Sequence, residues 1–142
     1  MSKSKHAGLT PEALHRAMPF LSASTTVWVA YSGGCDSHVL LHALAQLQQS
    51  QDFKLKAVYV NHGLSANADK WGEHCRRVCT DLDVEFVALE VDARPQDGES
   101  PEAAARNARY QAITKTLQAG DYLCTAHHQD DQAETLLLQL LR

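Results

Sequence analysis

The residues best suited to chemistry form a short polar block directly after the apolar run 25–31. Its glycines can take a positive φ and carry no Cβ, so the backbone can approach a ligand closely. A helix starting at its end would offer free N–H groups and a positive dipole end to a phosphate, with serine hydroxyls as further donors. The block predicts a phosphate-binding loop, and the alternative is a tight turn with a helix cap. Its residues are Ser32, Gly33, Gly34, Cys35, Asp36 and Ser37.

Asp36 is an unusual neighbour for a phosphate, because like charges repel. A carboxylate fits among phosphates where it holds Mg²⁺ between them. The alternative role is a helix N-cap, which aspartate also fills well. The block has neither the lysine of a Walker A loop nor the spacing of a GxGxxG loop. We predict that Asp36 is a Mg²⁺ ligand and a catalytic residue.

Arg106 lies in a predicted helix at a position that suggests an anionic partner. It begins a stripe with spacings of four, three and four residues, continued by Tyr110, Ile113 and Leu117. Such a stripe is the buried face of a helix, and a cation near the helix N-terminus is disfavoured by the dipole. ATP or an RNA phosphate would resolve both difficulties. The alternatives are a snorkelling side chain and a salt bridge to Glu102, and Arg109 is a weaker candidate of the same kind.

Three carboxylates near the C-terminus form a third candidate site. Asp130 and Asp131 precede or open a predicted helix, and Glu134 follows them by four and three residues. All three side chains can therefore face one spot. A helix cap with a capping-box glutamate is the alternative. Because two adjacent histidines, His127 and His128, add further polar groups, we favour a ligand site.

Strands and helices alternate regularly around these candidates. Apolar runs predict strands at 25–31, 55–61, 84–91 and 121–126, and helical spacing predicts helices at 37–49, 67–82 and 100–118. An opening helix from Thr10 to Pro19 and a final helix from near Asp130 complete the pattern. This order predicts a doubly wound α/β fold, with a mostly parallel sheet and helices on both faces. Ligands of such sheets bind beyond the carboxyl ends of the strands.

The bulk composition narrows the class of protein. The 142 residues are 44% hydrophobic with a formal net charge of −4, so the chain suits one domain and does not attract nucleic acid by its overall charge. No signal peptide or membrane span is apparent, which predicts a cytoplasmic protein without a membrane partner. Four cysteines without a CxxC pair predict reduced thiols, with Cys75 and Cys79 packed in the core on the face of Trp71. The leucine-rich end, ETLLLQLLR, predicts that the domain is incomplete.

The polar block resembles the SGGxDS signature of the PP-loop ATP pyrophosphatases. Three further blocks follow in order: VNHGL at 60–64, EAAARNARY at 102–110 and AHHQDDQAET at 126–135. Together they are similar to the tRNA(Ile)-lysidine synthetase family over roughly residues 25–142. The resemblance implies a Rossmann-like, adenine nucleotide alpha hydrolase-like fold, with residues 25–142 as the PP-loop ATP-binding domain and residues 1–24 as an N-terminal extension with a short helix.

The same resemblance implies a reaction and its partners. A ligase of this family uses ATP and Mg²⁺ to adenylate the wobble cytidine of isoleucine tRNA with a CAU anticodon. Free L-lysine then displaces AMP to form lysidine, and a homodimer is compatible with this activity. The alternatives are another PP-loop enzyme, either a tRNA thiolase or a small-molecule amidotransferase, and a non-catalytic nucleotide-binding module.

The resemblance also implies roles for individual residues. Residues 32–37 would hold the pyrophosphate, and His62 and Gly63 would contact the adenosine half. The alternatives for His62 are a strand cap and a solvated side chain. The catalytic residues would be Asp36, Arg106, Asp130, Asp131 and Glu134. Asp36 and Asp131 would be the Mg²⁺ ligands, although the acidic cluster could instead bind the ammonium group of lysine.

Overall fold

The computed structural model describes residues 10–31, 35–61, 68–92, 94–127 and 135–140. Four helices and five strands occupy these ranges. They are α1 (Pro11–Ala17), β1 (Thr26–Ala30), α2 (Cys35–Leu47), β2 (Lys54–Asn61), α3 (Ala68–Asp81), β3 (Glu85–Glu90), α4 (Pro101–Thr116), β4 (Tyr122–His127) and β5 (Thr135–Leu140). No helix in the described ranges is long and apolar enough to cross a membrane.

Local sequence explains where two helices begin. Thr10 caps α1 by accepting a hydrogen bond from the Ala13 amide at 3.1 Å. Ser100 caps α4 in the same way, at 3.1 Å from the Ala103 amide. A proline occupies the first turn of each helix, where its missing N–H costs nothing. Both predicted starts are confirmed.

The five strands form one sheet in the order β3-β2-β1-β4-β5. The first four strands are parallel, and Val29 in central β1 pairs with Ala57 of β2 and Cys124 of β4. The chain moves outward on one side through β2 and β3 and then returns to the other side of β1 for β4. This confirms the doubly wound, mostly parallel sheet, with its reversal of strand order between β1 and β4.

The last strand corrects one prediction. A helix was expected from near Asp130, but residues 135–140 form β5, which pairs antiparallel with β4 and places Leu137 opposite Thr125. A short run with four leucines suits a buried helix or a strand equally well, and hydrophobic spacing does not separate the two. The open edge of β4 offers unpaired N–H and C=O groups, and pairing with β5 satisfies them.

Two apolar cores lie on opposite faces of the sheet, because successive side chains of a strand point in opposite directions. Val27, Val29 and Tyr31 join a core with α1, α2 and α3, whereas Trp28 joins a second core with Ile113 of α4. The prediction of helices on both faces is thus confirmed.

A row of polar contacts crosses the second core near the N-terminal ends of the strands. The Trp28 indole N–H donates to Asp121 at 3.0 Å, and the Lys56 ammonium lies 5.2 Å from the Trp28 ring centroid. Lys56 also pairs with Glu85 at 3.6 Å. The row links β1, β2, β3 and the residue before β4 at the edge opposite their carboxyl ends.

Candidate functional site

A cavity of about 210 Å³ lies at the carboxyl ends of β1 and β2. Aromatic side chains line the cavity from the sheet face that carries the first core, and aliphatic side chains line it from the face that carries the second core. The walls are therefore largely apolar. One arginine supplies positive charge. The lining residues are Ala30, Tyr31, Val58, Tyr59, Val60, Trp71, Arg109 and Ile113.

The sheet topology explains why a cavity forms there. Strand order reverses between β1 and β4, so the connections that follow these two strands leave in opposite directions. A crevice opens at such a switch point, beyond the carboxyl ends of the strands. The cavity lies beside this point, next to the residue at which the predicted phosphate loop departs, Tyr31.

Tyr31 and His38 meet across that loop. The Tyr31 hydroxyl lies 3.0 Å from Nδ1 of His38. The Tyr31 side chain is only 1% exposed, and burial raises its pKa to about 12, so the phenol stays protonated. Burial, and then the neighbouring His42 and His74, lower the pKa of His38. A neutral tyrosine therefore meets an imidazole whose protonated form is disfavoured.

A second pair of side chains meets at the end of β2. The Asn61 amide donates to the Asp69 carboxylate at 3.1 Å. Asn61 ends β2 and Asp69 lies in the first turn of α3. The contact thus joins the two elements that flank residues 62–67.

Arg109 rather than Arg106 lines the cavity. Arg106 is exposed, so the prediction that it lies on the buried stripe is wrong, whereas Ile113 and Leu117 of the same stripe are buried. Arg109 is partly buried, and its guanidinium carbon lies 5.7 Å from the Tyr110 ring centroid. The predicted stripe is therefore buried only along the later turns of α4.

Comparison with known proteins identifies the family. The family described as PP-loop domain matches residues 10–142. The chain belongs to this family. Membership implies the use of ATP, and the cavity lies at the sheet edge expected for the nucleotide of a PP-loop domain.

Curated relatives of this PP-loop domain are named tRNA(Ile)-lysidine synthase. The Alkalilimnicola ehrlichii protein is 51% identical over 134 residues, which cover 94% of this chain and 30% of that protein. The Coxiella burnetii protein is 44% identical over 133 residues, which again cover 94% of this chain and 30% of that protein. The Pseudomonas syringae pv. tomato protein is 50% identical over 133 residues, which cover 93% of this chain and 29% of that protein. The chain thus spans about 30% of the length of these relatives.

The fold matches that of a solved tRNA-modifying enzyme. It is the U34-tRNA thiolase NcsA from Methanococcus maripaludis with its [4Fe-4S] cluster, which superposes with a TM-score of 0.65 at 16% sequence identity. The match covers 75% of this chain and 39% of that one. At this identity the likeness concerns the PP-loop fold alone.

The predicted ligands of the PP-loop domain are only partly described. Cys35 and Asp36 lie in the first turn of α2, with their side chains outside the described atoms, and Ser37 behind them is 4% exposed. The remaining predicted residues lie outside the described ranges, and their roles stay predictions. They are Ser32, Gly33, Gly34, His62, Gly63, Asp130, Asp131 and Glu134.

Trp71 departs from its predicted place in the core of the PP-loop domain. It is 44% exposed, lines the cavity, and stacks on His74 with the ring centroids 5.2 Å apart. Cys75 and Cys79 on the same face of α3 are fully buried, as predicted. Trp71 is in the first turn of α3, at the cavity beside the carboxyl ends of β1 and β2, whereas Cys75 and Cys79 lie further along the helix.

The three described cysteines of the PP-loop domain are packing residues. Cys75, Cys79 and Cys124 are free and buried. Burial raises their thiol pKa values to about 11, 12 and 12. They therefore remain protonated thiols near neutral pH. Among the described residues, no group of three or more His, Cys, Asp or Glu could hold a metal ion.

Proposed function

We propose that this PP-loop domain binds MgATP and serves the adenylation step of lysidine formation on isoleucine tRNA. The observation that carries the proposal is the 51% identity to a tRNA(Ile)-lysidine synthase across 94% of the chain. A cavity at the carboxyl ends of β1 and β2, beside the switch point of the sheet, supports it, because nucleotides bind at this edge of a doubly wound sheet.

The lining of the cavity suits an adenine nucleotide. Apolar walls from Val58, Val60 and Ile113 favour a flat aromatic base, and the Arg109 guanidinium can donate to phosphate oxygens. The pyrophosphate would lie against residues 32–37, where the N-terminus of α2 begins. His62 and Gly63 would contact the adenosine from the end of β2.

The reaction consists of two displacements. The C2 oxygen of the wobble cytidine attacks the α-phosphorus of ATP, the bond to the β-phosphate oxygen breaks, and pyrophosphate leaves. The lysine amine then attacks C2, the bond from C2 to the AMP oxygen breaks, and the amine loses a proton. The protein would act mainly by positioning the reactants and by neutralising phosphate charge.

Acidic side chains would bind Mg²⁺ or the lysine ammonium group, and basic side chains would neutralise phosphate charge. Asp36 and Asp131 would hold Mg²⁺, which neutralises charge on the phosphates when bound. Arg106 and Arg109 can offset phosphate charge from α4. Asp130 and Glu134 would join Asp131 in holding either Mg²⁺ or the ammonium group of L-lysine. We place the reaction in the cytoplasm, where ATP, free lysine and tRNA are found together.

Product analysis tests this function. A chimera joins residues 1–142 to the remaining length of the Alkalilimnicola ehrlichii relative and is incubated with α-labelled ATP, lysine and isoleucine tRNA with a CAU anticodon. We expect labelled AMP only when both lysine and the tRNA are present, whereas release of pyrophosphate requires the tRNA but not lysine. The same tRNA with uridine at the wobble position is the matched control and should give no lysine-dependent AMP.

Each alternative function predicts a different requirement for AMP formation in this assay. AMP formed without tRNA, with a small molecule as acceptor, would indicate an amidotransferase-like ligase instead. AMP formed with tRNA but without lysine would indicate another tRNA-modifying enzyme, such as a thiolase. Tight binding of ATP without cleavage would indicate a nucleotide-binding module.

A further inference from the structure

Tyr31 and His38 stand on the two sides of residues 32–34 and are joined by a hydrogen bond. Tyr31 is the residue after β1, and His38 lies in the first turns of α2. The 3.0 Å contact between the hydroxyl and Nδ1 therefore connects the strand before the loop to the helix after it. The contact is made by side chains seven residues apart.

Both partners are fixed from outside the loop. The Tyr31 amide donates to the Val58 carbonyl at 2.9 Å, which extends the pairing of β1 with β2 by one residue. The Tyr31 ring lies in the first core. The His38 ring contacts His42 one turn further along α2, with the ring centroids 4.3 Å apart. Because other contacts hold both side chains in place, the hydrogen bond between them fixes the end of β1 relative to the start of α2.

We propose that the Tyr31–His38 hydrogen bond is a clamp that positions the nucleotide loop by fixing the end of β1 against the start of α2. This inference rests on the proposed binding of MgATP. Loop amides bind phosphate well only at the correct separation, and a loop whose two ends are already fixed loses less entropy on binding. Tyr31 and His38 are thus positioning residues that act through the loop.

A clamp and an ordinary core contact predict different measurements. A core contact stabilises the free and the nucleotide-bound protein equally, so its removal lowers the melting temperature and leaves the affinity of the folded protein unchanged. A clamp contributes to affinity itself. Loss of one hydrogen bond between preorganised groups should weaken MgATP binding about three- to tenfold.

The test is calorimetric titration of MgATP into variants of the 142-residue chain, well below their melting temperatures. Tyr31→Phe removes only the hydroxyl, and His38→Ala removes its partner. Each should weaken binding about three- to tenfold, and the double variant should be no weaker than either single one. His38→Asn keeps an amide near the position of Nδ1 and should restore most of the affinity. If Tyr31→Phe does not fold, comparison of His38→Ala with His38→Asn still decides the question.

The matched control removes a hydrogen bond made by Trp28, the central residue of β1. Trp28→Phe abolishes the 3.0 Å contact with Asp121 at the opposite edge of the sheet and should lower the melting temperature without changing MgATP affinity. Unchanged affinity in Tyr31→Phe would overturn the clamp. So would additive effects of the two substitutions, which would mean that the hydroxyl touches the ligand directly, or an equal loss in Trp28→Phe. If the unsubstituted chain does not bind MgATP, the proposed function fails as well, and that result is distinct from loss of the clamp alone.

Discussion

Asp36→Asn should lower the rate of ATP cleavage between the α- and β-phosphates by about 100-fold or more, because it removes the proposed ligand of a charge-neutralising Mg²⁺. Asparagine is the informative replacement, since it caps a helix as well as aspartate does. Asp36 is the second residue of α2, where a side-chain hydrogen bond to a free backbone N–H of the first turn is the competing explanation. The measurement is release of labelled AMP by the chimera with lysine and tRNA.

Two controls distinguish a Mg²⁺ ligand from a helix-capping residue at position 36. The melting temperature of Asp36→Asn should match that of the unsubstituted protein, whereas Asp36→Ala should melt lower if the carboxylate also caps α2. Binding of ATP without Mg²⁺ should be no weaker in Asp36→Asn, because a negative charge near the phosphates has been removed. Near-normal cleavage by Asp36→Asn would rule out the metal role.

Arg109→Ala should weaken MgATP binding about tenfold or more, because a charge-assisted hydrogen bond to phosphate is lost from the cavity. Arg106→Ala is the matched control, three residues away on the same helix and exposed. Its effect on affinity should be several-fold smaller, as expected for a solvent-screened charge. Calorimetric titration at two salt concentrations measures both.

Arg109→Lys distinguishes charge from geometry at this position. It should bind with intermediate affinity, because lysine keeps the charge but not the planar fork of donors. A larger loss in Arg106→Ala than in Arg109→Ala would reverse our assignment and restore the arginine indicated by the sequence pattern alone.

The fold could be predicted from the sequence because its signals are local. Thr10-Pro11 and Ser100-Pro101 mark the starts of α1 and α4 through backbone chemistry that needs no tertiary contact. Alternation of strand and helix patterns then leaves few topologies other than a doubly wound sheet. The leucine run of β5 carried no such signal, because its pattern is shared by strands and buried helices and only the open edge of β4 decides between them.

The site was harder to predict because a helical stripe shows which face is buried but not how far along the helix burial extends. Arg106 and Trp71 each begin a correctly identified stripe, yet both lie near a helix start at the carboxyl edge of the sheet and are exposed. Their neighbours Ile113 and Cys75, further along, are fully covered. The Tyr31–His38 contact could not be predicted, since nothing in a spacing of seven residues indicates that the Tyr31 hydroxyl and Nδ1 of His38 lie 3.0 Å apart.

MgATP is expected to bind at the carboxyl edge of β1 and β2, and backbone amide NMR of the 142-residue chain titrated with MgATP tests this directly. We expect shifts of the amide signals of Ala30, Val58, Val60 and Ile113, which line the cavity. The signals of Lys54 and Asp83, at the opposite edge of the sheet, should stay in place. Shifts centred on Lys54 and Asp83, or no shifts at millimolar MgATP, would contradict nucleotide binding at the carboxyl edge.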